Sequence, residues 1–322
     1  MSARKALEHR LGQFKELNNI LSAMKNLSLM ELAKLSRFTE TQNRVVHTLE
    51  TVAEDFHSHF PRFLPPAGPH APLLLIGSER GFCGDFNEKI ELAMEARLEE
   101  LPQPEPRLIV VGRRLVQRLE GDPRLVAALD GPSVIEDLPA TLLKLVETLE
   151  QLAHRHGFNP MAVTLIHHQV GEEFLDEPLP NPAPTSSGAD APGVQAVQKD
   201  EPPSGESRSE DFVRLFRPVD HFSRSQPRHP IPPLVQMDPG EFHAGLVDEY
   251  LFAALHGVFY TSMMAENHRR MQQMQAALQQ MEKKIAQWQM RLNSLRQEEI
   301  TEEIEEIMLS AEALLKKQRL GA

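Results

Sequence analysis

The sequence predicts a small α/β domain with a parallel sheet, flanked by N- and C-terminal helices that pair as a long antiparallel coiled coil. Three observations lead there. Large apolar residues near the C-terminus repeat with heptad spacing, and those near the N-terminus recur in steps of three and four. Between them, short continuous apolar runs alternate with helical patterns.

Residues 1–60 read as the first long helix. From residue 3 onward they contain no proline and a single glycine, Gly12, so the backbone has no reason to break. Leu7, Leu11, Phe14, Leu17, Leu21, Met24 and Leu27 make its apolar stripe. Unbroken, such a helix is roughly 85 Å long. Pro61 ends it, and Pro65, Pro66, Pro69 and Pro72 make a stiff connector.

Residues 70–175 read as the α/β domain. Leu73–Ile76, Leu108–Val111 and Met161–Ile166 are continuous apolar runs, as expected of strands buried on both faces. Helical patterns fill Asn87–Leu101 and Leu138–His156, and a shorter one follows Gly112. Residues 176–235 are a proline-rich insert. Twelve of the chain's 25 prolines fall between residues 176 and 233, with too little apolar surface to offset the entropy of ordering. Only Asp211–Phe216 is expected to pair locally.

Residues 240–322 read as the second long helix. Met271, Met274, Leu278, Met281, Ile285, Trp288, Leu292 and Leu295 follow one another in steps of 3, 4, 3, 4, 3, 4 and 3. That 3.5-residue period demands a partner helix and a left-handed supercoil. No glycine or proline interrupts it between Val258 and Leu320, and its roughly 110 Å exceeds what a domain of ordinary size can bury. The N-terminal helix is the partner at hand. Glu298, Glu299, Glu302, Glu303, Glu305 and Glu306 crowd its far end. Ile300, Ile304, Ile307 and Met308 run through them, so one buried face in a charged helix is expected there.

Composition narrows the function. A formal net charge of −12 argues against a general nucleic-acid binder. Cys83 is the only cysteine, which excludes an intrachain disulfide. No apolar run reaches the roughly 18 residues of a membrane span, and the first residues lack the apolar core of a signal peptide. Membrane contact is therefore expected only through partners.

The turn Gly77–Glu88 follows a strand and opens a helix, where phosphate loops sit. Its glycines fit neither phosphate-loop pattern, and Asp85 and Glu88 have capping-box spacing, so a structural turn is expected. Cys83 has no base near it in sequence and reads as a buried small residue. His57, His59, His167 and His168 lack zinc spacing and read as packing or solvated histidines. No triad or paired-carboxylate motif appears, so the chain is not expected to catalyse a reaction by itself, and no cofactor is implied.

Four stretches carry a resemblance. Glu266-Asn267-His268-Arg269-Arg270-Met271-Gln272-Gln273-Met274 matches E-x-x-x-R-M-x-x-M, and Asn293 to Ile307 matches N-x-x-R-Q-x-x-I-T-x-E-[IL]-x-E-I without a gap. Ser78 to Asn87 is similar to S-D-R-G-L-C-G-x-x-N, and Ile20-Leu21-Ser22-Ala23-Met24 to I-T-K-A-M. Together they resemble the gamma subunit of the rotary F-type ATP synthase, over nearly everything but the insert.

That resemblance implies a central rotor shaft inside a hexamer of alpha and beta subunits. Its α/β domain binds the epsilon subunit and the ring of c subunits at the cytoplasmic face of a bacterial inner membrane. The shaft is a non-catalytic part of an ion translocase, coupling ion-driven rotation to ATP synthesis or hydrolysis. Arg296, Gln297, Thr301 and Glu303 stand where the family meets an acidic loop of one beta subunit. Ser22, Glu31 and Ala33 replace cations usual in the family, which points to a divergent branch or alternative ATPase with an altered contact to the beta ring. A coiled-coil scaffold with an α/β module, and a nucleotide-binding enzyme built on the turn at 77–84, are the readings from other classes.

Overall fold

A computed structural model describes residues 3–63, 72–100, 107–170, 212–218 and 231–320. They fall into two compact units, one formed by Met1–Lys25 with Gln272–Ala322, the other by Asn26–Met271. Most of the proline-rich insert lies outside the described residues.

Two helices contribute to both units: α1, Ala3–His59, and α5, Pro239–Leu320. In the first unit they run antiparallel. Arg4 is paired with Glu299 at 2.8 Å, and the Phe14 ring lies 4.4 Å from that of Trp288. Along α5, Met274 is buried and Leu278, Met281, Ile285, Trp288, Leu292 and Leu295 are half-buried, with mostly exposed residues between them. Along α1 a line of covered positions runs through Arg4, Leu7, Leu11, Phe14, Asn18, Leu21 and Lys25, again in steps of three and four. Met24 sits half-buried beside that line.

The α1 seam differs from the expected stripe. Leu17 and Leu27 are 48% and 55% exposed, and the polar Asn18 takes the seam position. The reason is period. Leu7 to Leu27 spans twenty residues in six steps, near 3.3 per step, which rotates steadily away from the 3.5 that two supercoiled helices share.

The second unit is built on a five-stranded sheet of order β3-β2-β1-β4-β5. Strands β1 (Leu73–Ile76), β2 (Leu108–Val111), β3 (Leu125–Leu129) and β4 (Thr164–Gln169) are parallel, and β5 (Phe212–Phe216) closes one edge antiparallel to β4. Every residue of β1 and β2 is buried, which is why those strands read as unbroken apolar runs. Helices α2 (Phe86–Glu100) and α3 (Arg113–Arg118) cover one face with Leu32 and Leu35 of α1 and Met263 and Met264 of α5. Helix α4 (Leu138–His156) covers the other, where Leu142, Leu145 and Leu149 meet Leu255, Val258 and Phe259 of α5. A third cluster joins Phe56 and Ala53 of α1 to Leu246, Tyr250 and Ala254 of α5.

Two expectations for the sheet are corrected. Residues 160–162 form a 3₁₀ turn, because Pro160 fixes its φ and the Asn159 side chain accepts the Met161 N–H at 2.9 Å, so β4 starts at Thr164. Strand β3 went unpredicted. It is an edge strand whose residues alternate between half-buried and exposed, and two of its five residues are alanine.

Candidate functional site

Two places stand out, one in each unit. The first is the turn after β1. Gly77 packs where a Cβ would overlap Leu115 and lie 2.9 Å from Asn87 Oδ1. Asn87 in turn accepts the Ser78 N–H at 2.9 Å and donates to the Ser78 hydroxyl. Glu79, buried, accepts the amides of Arg113 (2.9 Å) and Gly131 (2.8 Å) and pairs with the Arg113 guanidinium. Those amides are the kind that would hold a phosphate, and a carboxylate of the chain itself already occupies them. The cavity left beside them, between Glu79, Gly131 and Phe259, is about 10 Å³. A nucleotide has no room there, and the turn is structural.

The far side of the same turn is clamped by α5. Glu266 and Arg270, one helical turn apart and both buried, form an ion pair. Glu266 accepts the Arg80 N–H at 3.3 Å, while Arg270 donates to the Gly81 carbonyl (3.3 Å), Asn267 Oδ1 (2.9 Å) and Cys83 Sγ (3.5 Å). Burial pushes the Glu266 carboxyl up, and Arg270 opposes that shift. Burial likewise pushes the Cys83 thiol up to about 12, so it stays a neutral small residue. Between the clamped residues Phe82 sits at φ 64° and is 62% exposed, a left-handed conformation held because both flanks are tied to Arg270. Asp85 does not act as a capping box with Glu88; its carboxylate is turned to Lys89 (3.2 Å) and Arg269 (3.3 Å).

The two motifs singled out at Ser78–Asn87 and Glu266–Met274 are thus the two halves of one lock. Their roles were not legible from sequence, although an acid and a base four apart on one face of α5 is the signal that marks such a pair. The histidines are packing groups. His168 stacks on Phe86 with ring centroids 3.9 Å apart, and His57 lies edge-on to His243 at 5.2 Å. No group of three or more His, Cys, Asp or Glu among the described residues could hold a metal ion. Glu31 faces its own α/β domain, pairing with Lys34 and accepting the Ile135 N–H.

The second place is the end of α5. Its partner α1 begins at Ala3, with Arg4 beside Glu299, while α5 continues to Leu320. Ile300, Ile304, Ile307 and Met308 are 48–67% exposed, so the face expected to be buried is bare in this chain. On a helix of 3.6 residues per turn, Ile300, Ile304 and Ile307 lie roughly 120–180° around from Leu295, well away from the seam. Arg296, Gln297, Thr301 and Glu303 are exposed on the same segment, the Thr301 hydroxyl donating to the Gln297 carbonyl at 2.9 Å.

Among known proteins, the chain is 23% identical to the ATP synthase gamma chain of Synechococcus sp. over 96% of its own length and 98% of that protein's. It is 28% identical to the gamma chain of Magnetococcus marinus over 125 residues, covering 35% of this chain and 42% of that one. Its fold is that of the rotor of Euglena gracilis mitochondrial ATP synthase, with a TM-score of 0.53 at 13% identity over 92% of this chain and 98% of that one. A second Euglena structure, of the OSCP/F1/c-ring assembly, gives 0.51 at 15% identity over 97% and 94%. The family model described as ATP synthase matches residues 3–314, and the chain belongs to that family.

Proposed function

We propose that this chain is the central rotor shaft, the gamma-type subunit, of a rotary F-type ATP synthase. The observation that carries the reading is the family match across both terminal helices and the domain between them. The shape of the chemistry supports it. A two-helix seam resists twisting, and the uncovered end of α5 offers bare isoleucines and carboxylates to whatever surrounds it. A shaft of this kind makes and breaks no bonds. Its angular position biases three like catalytic sites into different conformations, which is coupling by rigid rotation.

In this reading the alpha and beta subunits surround α5, and Arg296, Gln297, Thr301 and Glu303 meet an acidic loop of one beta subunit. The epsilon subunit and the c-ring bind the α/β domain. No helix among the described residues is long and apolar enough to cross a membrane. The shaft sits peripherally at the cytoplasmic face of a bacterial inner membrane, within an ion-translocating enzyme. Low identity to standard gamma chains suits a divergent branch.

Reconstitution tests this. The purified chain should hydrolyse no nucleotide, yet restore coupled ATPase activity to an alpha-beta complex that lacks its gamma subunit. Failure to associate with that complex would overturn the assignment.

A further inference from the structure

A third feature belongs to neither place above. It is an open groove of about 940 Å³ within the second unit, walled by α1, α4 and the first turns of α5. Leu149, Met161 and Leu246 form its floor. Val52, Met237 and Phe252 line it while 38%, 56% and 42% exposed, an unusual concentration of wet apolar surface.

Its rim carries one sign of charge. Glu150, Glu241, Asp248 and Glu249 line the groove, all exposed, and none forms an ion pair with a described residue. Among the described residues, no lysine, arginine or histidine lines it. An apolar trough with four uncompensated carboxylates is complementary to a cationic amphiphile, and poorly suited to an acidic or purely apolar one.

Gly245 narrows the occupant further. It lies in the helical interior of α5 and lines the groove, yet a Cβ there would meet nothing within 4 Å. Glycine inside a helix is destabilising relative to alanine, and nothing among the described residues requires it at this position. What its absent side chain does provide is a notch where a second backbone can approach closely. Glu241, Gly245, Asp248 and Phe252, spaced by four, three and four, present that notch along one face of α5.

We propose that this groove is the docking site for a basic amphipathic helix of a partner protein. The helix lays its apolar face on Phe252, Val52 and Met237, crosses α5 over Gly245 and sets its lysines or arginines against the four carboxylates, the helix-in-groove mode of recognition.

The test is a fluorescence-anisotropy titration of the full chain with a labelled amphipathic peptide of leucine and lysine, beside its leucine and glutamate counterpart. The lysine peptide should bind saturably and the glutamate peptide at least tenfold more weakly. Glu241→Lys with Glu249→Lys should weaken the lysine peptide at least tenfold, and Glu40→Lys with Glu120→Lys, matched in charge but outside the groove, should not. Gly245→Gln should melt no lower than the parent chain and still lose tenfold or more in binding. Equal loss in both charge-reversed pairs would reduce the effect to general attraction by an acidic protein. Unchanged binding in Gly245→Gln, or saturation of the groove by a small cationic detergent with no peptide bound, would each overturn the helical occupant.

Discussion

Glu266 and Arg270 are paired in the protein interior, and that pair fixes the turn after β1 by three contacts to Arg80, Gly81 and Cys83. Removing one partner strands the other as a buried charge. Arg270→Met should therefore cost about 3–5 kcal/mol in denaturant unfolding. The double variant Glu266→Leu with Arg270→Met should recover most of that loss, since no charge remains buried. A single variant no less stable than the parent would mean that the guanidinium contributes nothing net to the lock.

The coiled-coil seam contains one expensive residue. Asn18 occupies a seam position, and its Oδ1 is buried with no hydrogen-bond partner among the described residues. Asn18→Leu should stabilise the helix pair by about 1 kcal/mol, by replacing an unsatisfied carbonyl with a packed side chain. Ile285→Lys or Met281→Lys should act oppositely, at roughly 2 kcal/mol each, by placing a charge in the same seam. The single tryptophan, Trp288, meets Phe14 edge-to-face and reports this pairing by fluorescence. Midpoints unchanged in both lysine variants would sink the seam assignment.

What could be read from sequence divides along physical lines. Helix α4 was legible to the residue, Leu138–His156, because its amphipathic period is strong and Pro139 and Gly157 punctuate its ends. Strands β1 and β2 were legible because burial on both faces leaves only apolar residues. Strand β3 was not, since an alanine-containing edge with one wet face carries little signal. At the turn, the glycine spacing excluded a known phosphate motif. It could not reveal that Glu79 fills the anion position or that Arg270, some 190 residues on, holds the loop. Contacts of that range leave no local periodicity. The α1 stripe misled for a subtler reason: Leu17 obeys three-and-four spacing as well as Asn18 does, and only the cumulative period separates them.

Stability should fall in mild acid through two histidines. Burial holds His57 near a pKa of about 4, with His243 adding to the shift, and burial does the same to His167. Unfolded, each returns to about 6.5. Their neutral forms therefore contribute full stability above pH 6.5, and that contribution is lost as pH falls from about 6.5 to about 4, where the unfolded chain binds protons the folded chain refuses. The slope is of order 1.4 kcal/mol per pH unit for each histidine. Urea unfolding at pH 7 and pH 5 should show the loss, and His57→Leu with His167→Leu should flatten it. An unchanged slope in the double variant would assign the acid sensitivity to carboxylates instead.

The uncovered end of α5 allows stability and assembly to be separated. Ile304 and Ile307 are 53% and 67% exposed, so Ile304→Asp with Ile307→Asp removes little packing among the described residues. Exposed substitutions of this kind usually change stability by less than about 0.5 kcal/mol. In the intact rotary complex the same positions face the surrounding alpha and beta subunits, on the reading above, and two desolvated carboxylates there would be unpaired. Thermal unfolding of the isolated chain should be unchanged, while association with the alpha-beta complex weakens by tenfold or more. Arg296→Ala with Glu303→Ala should behave differently, leaving assembly largely intact and lowering rotation-coupled ATPase activity, because on the proposed reading those two side chains would contribute charge contacts and little apolar area. Equal activity of both double variants and the parent chain in the reconstituted complex would show that torque does not pass through this segment.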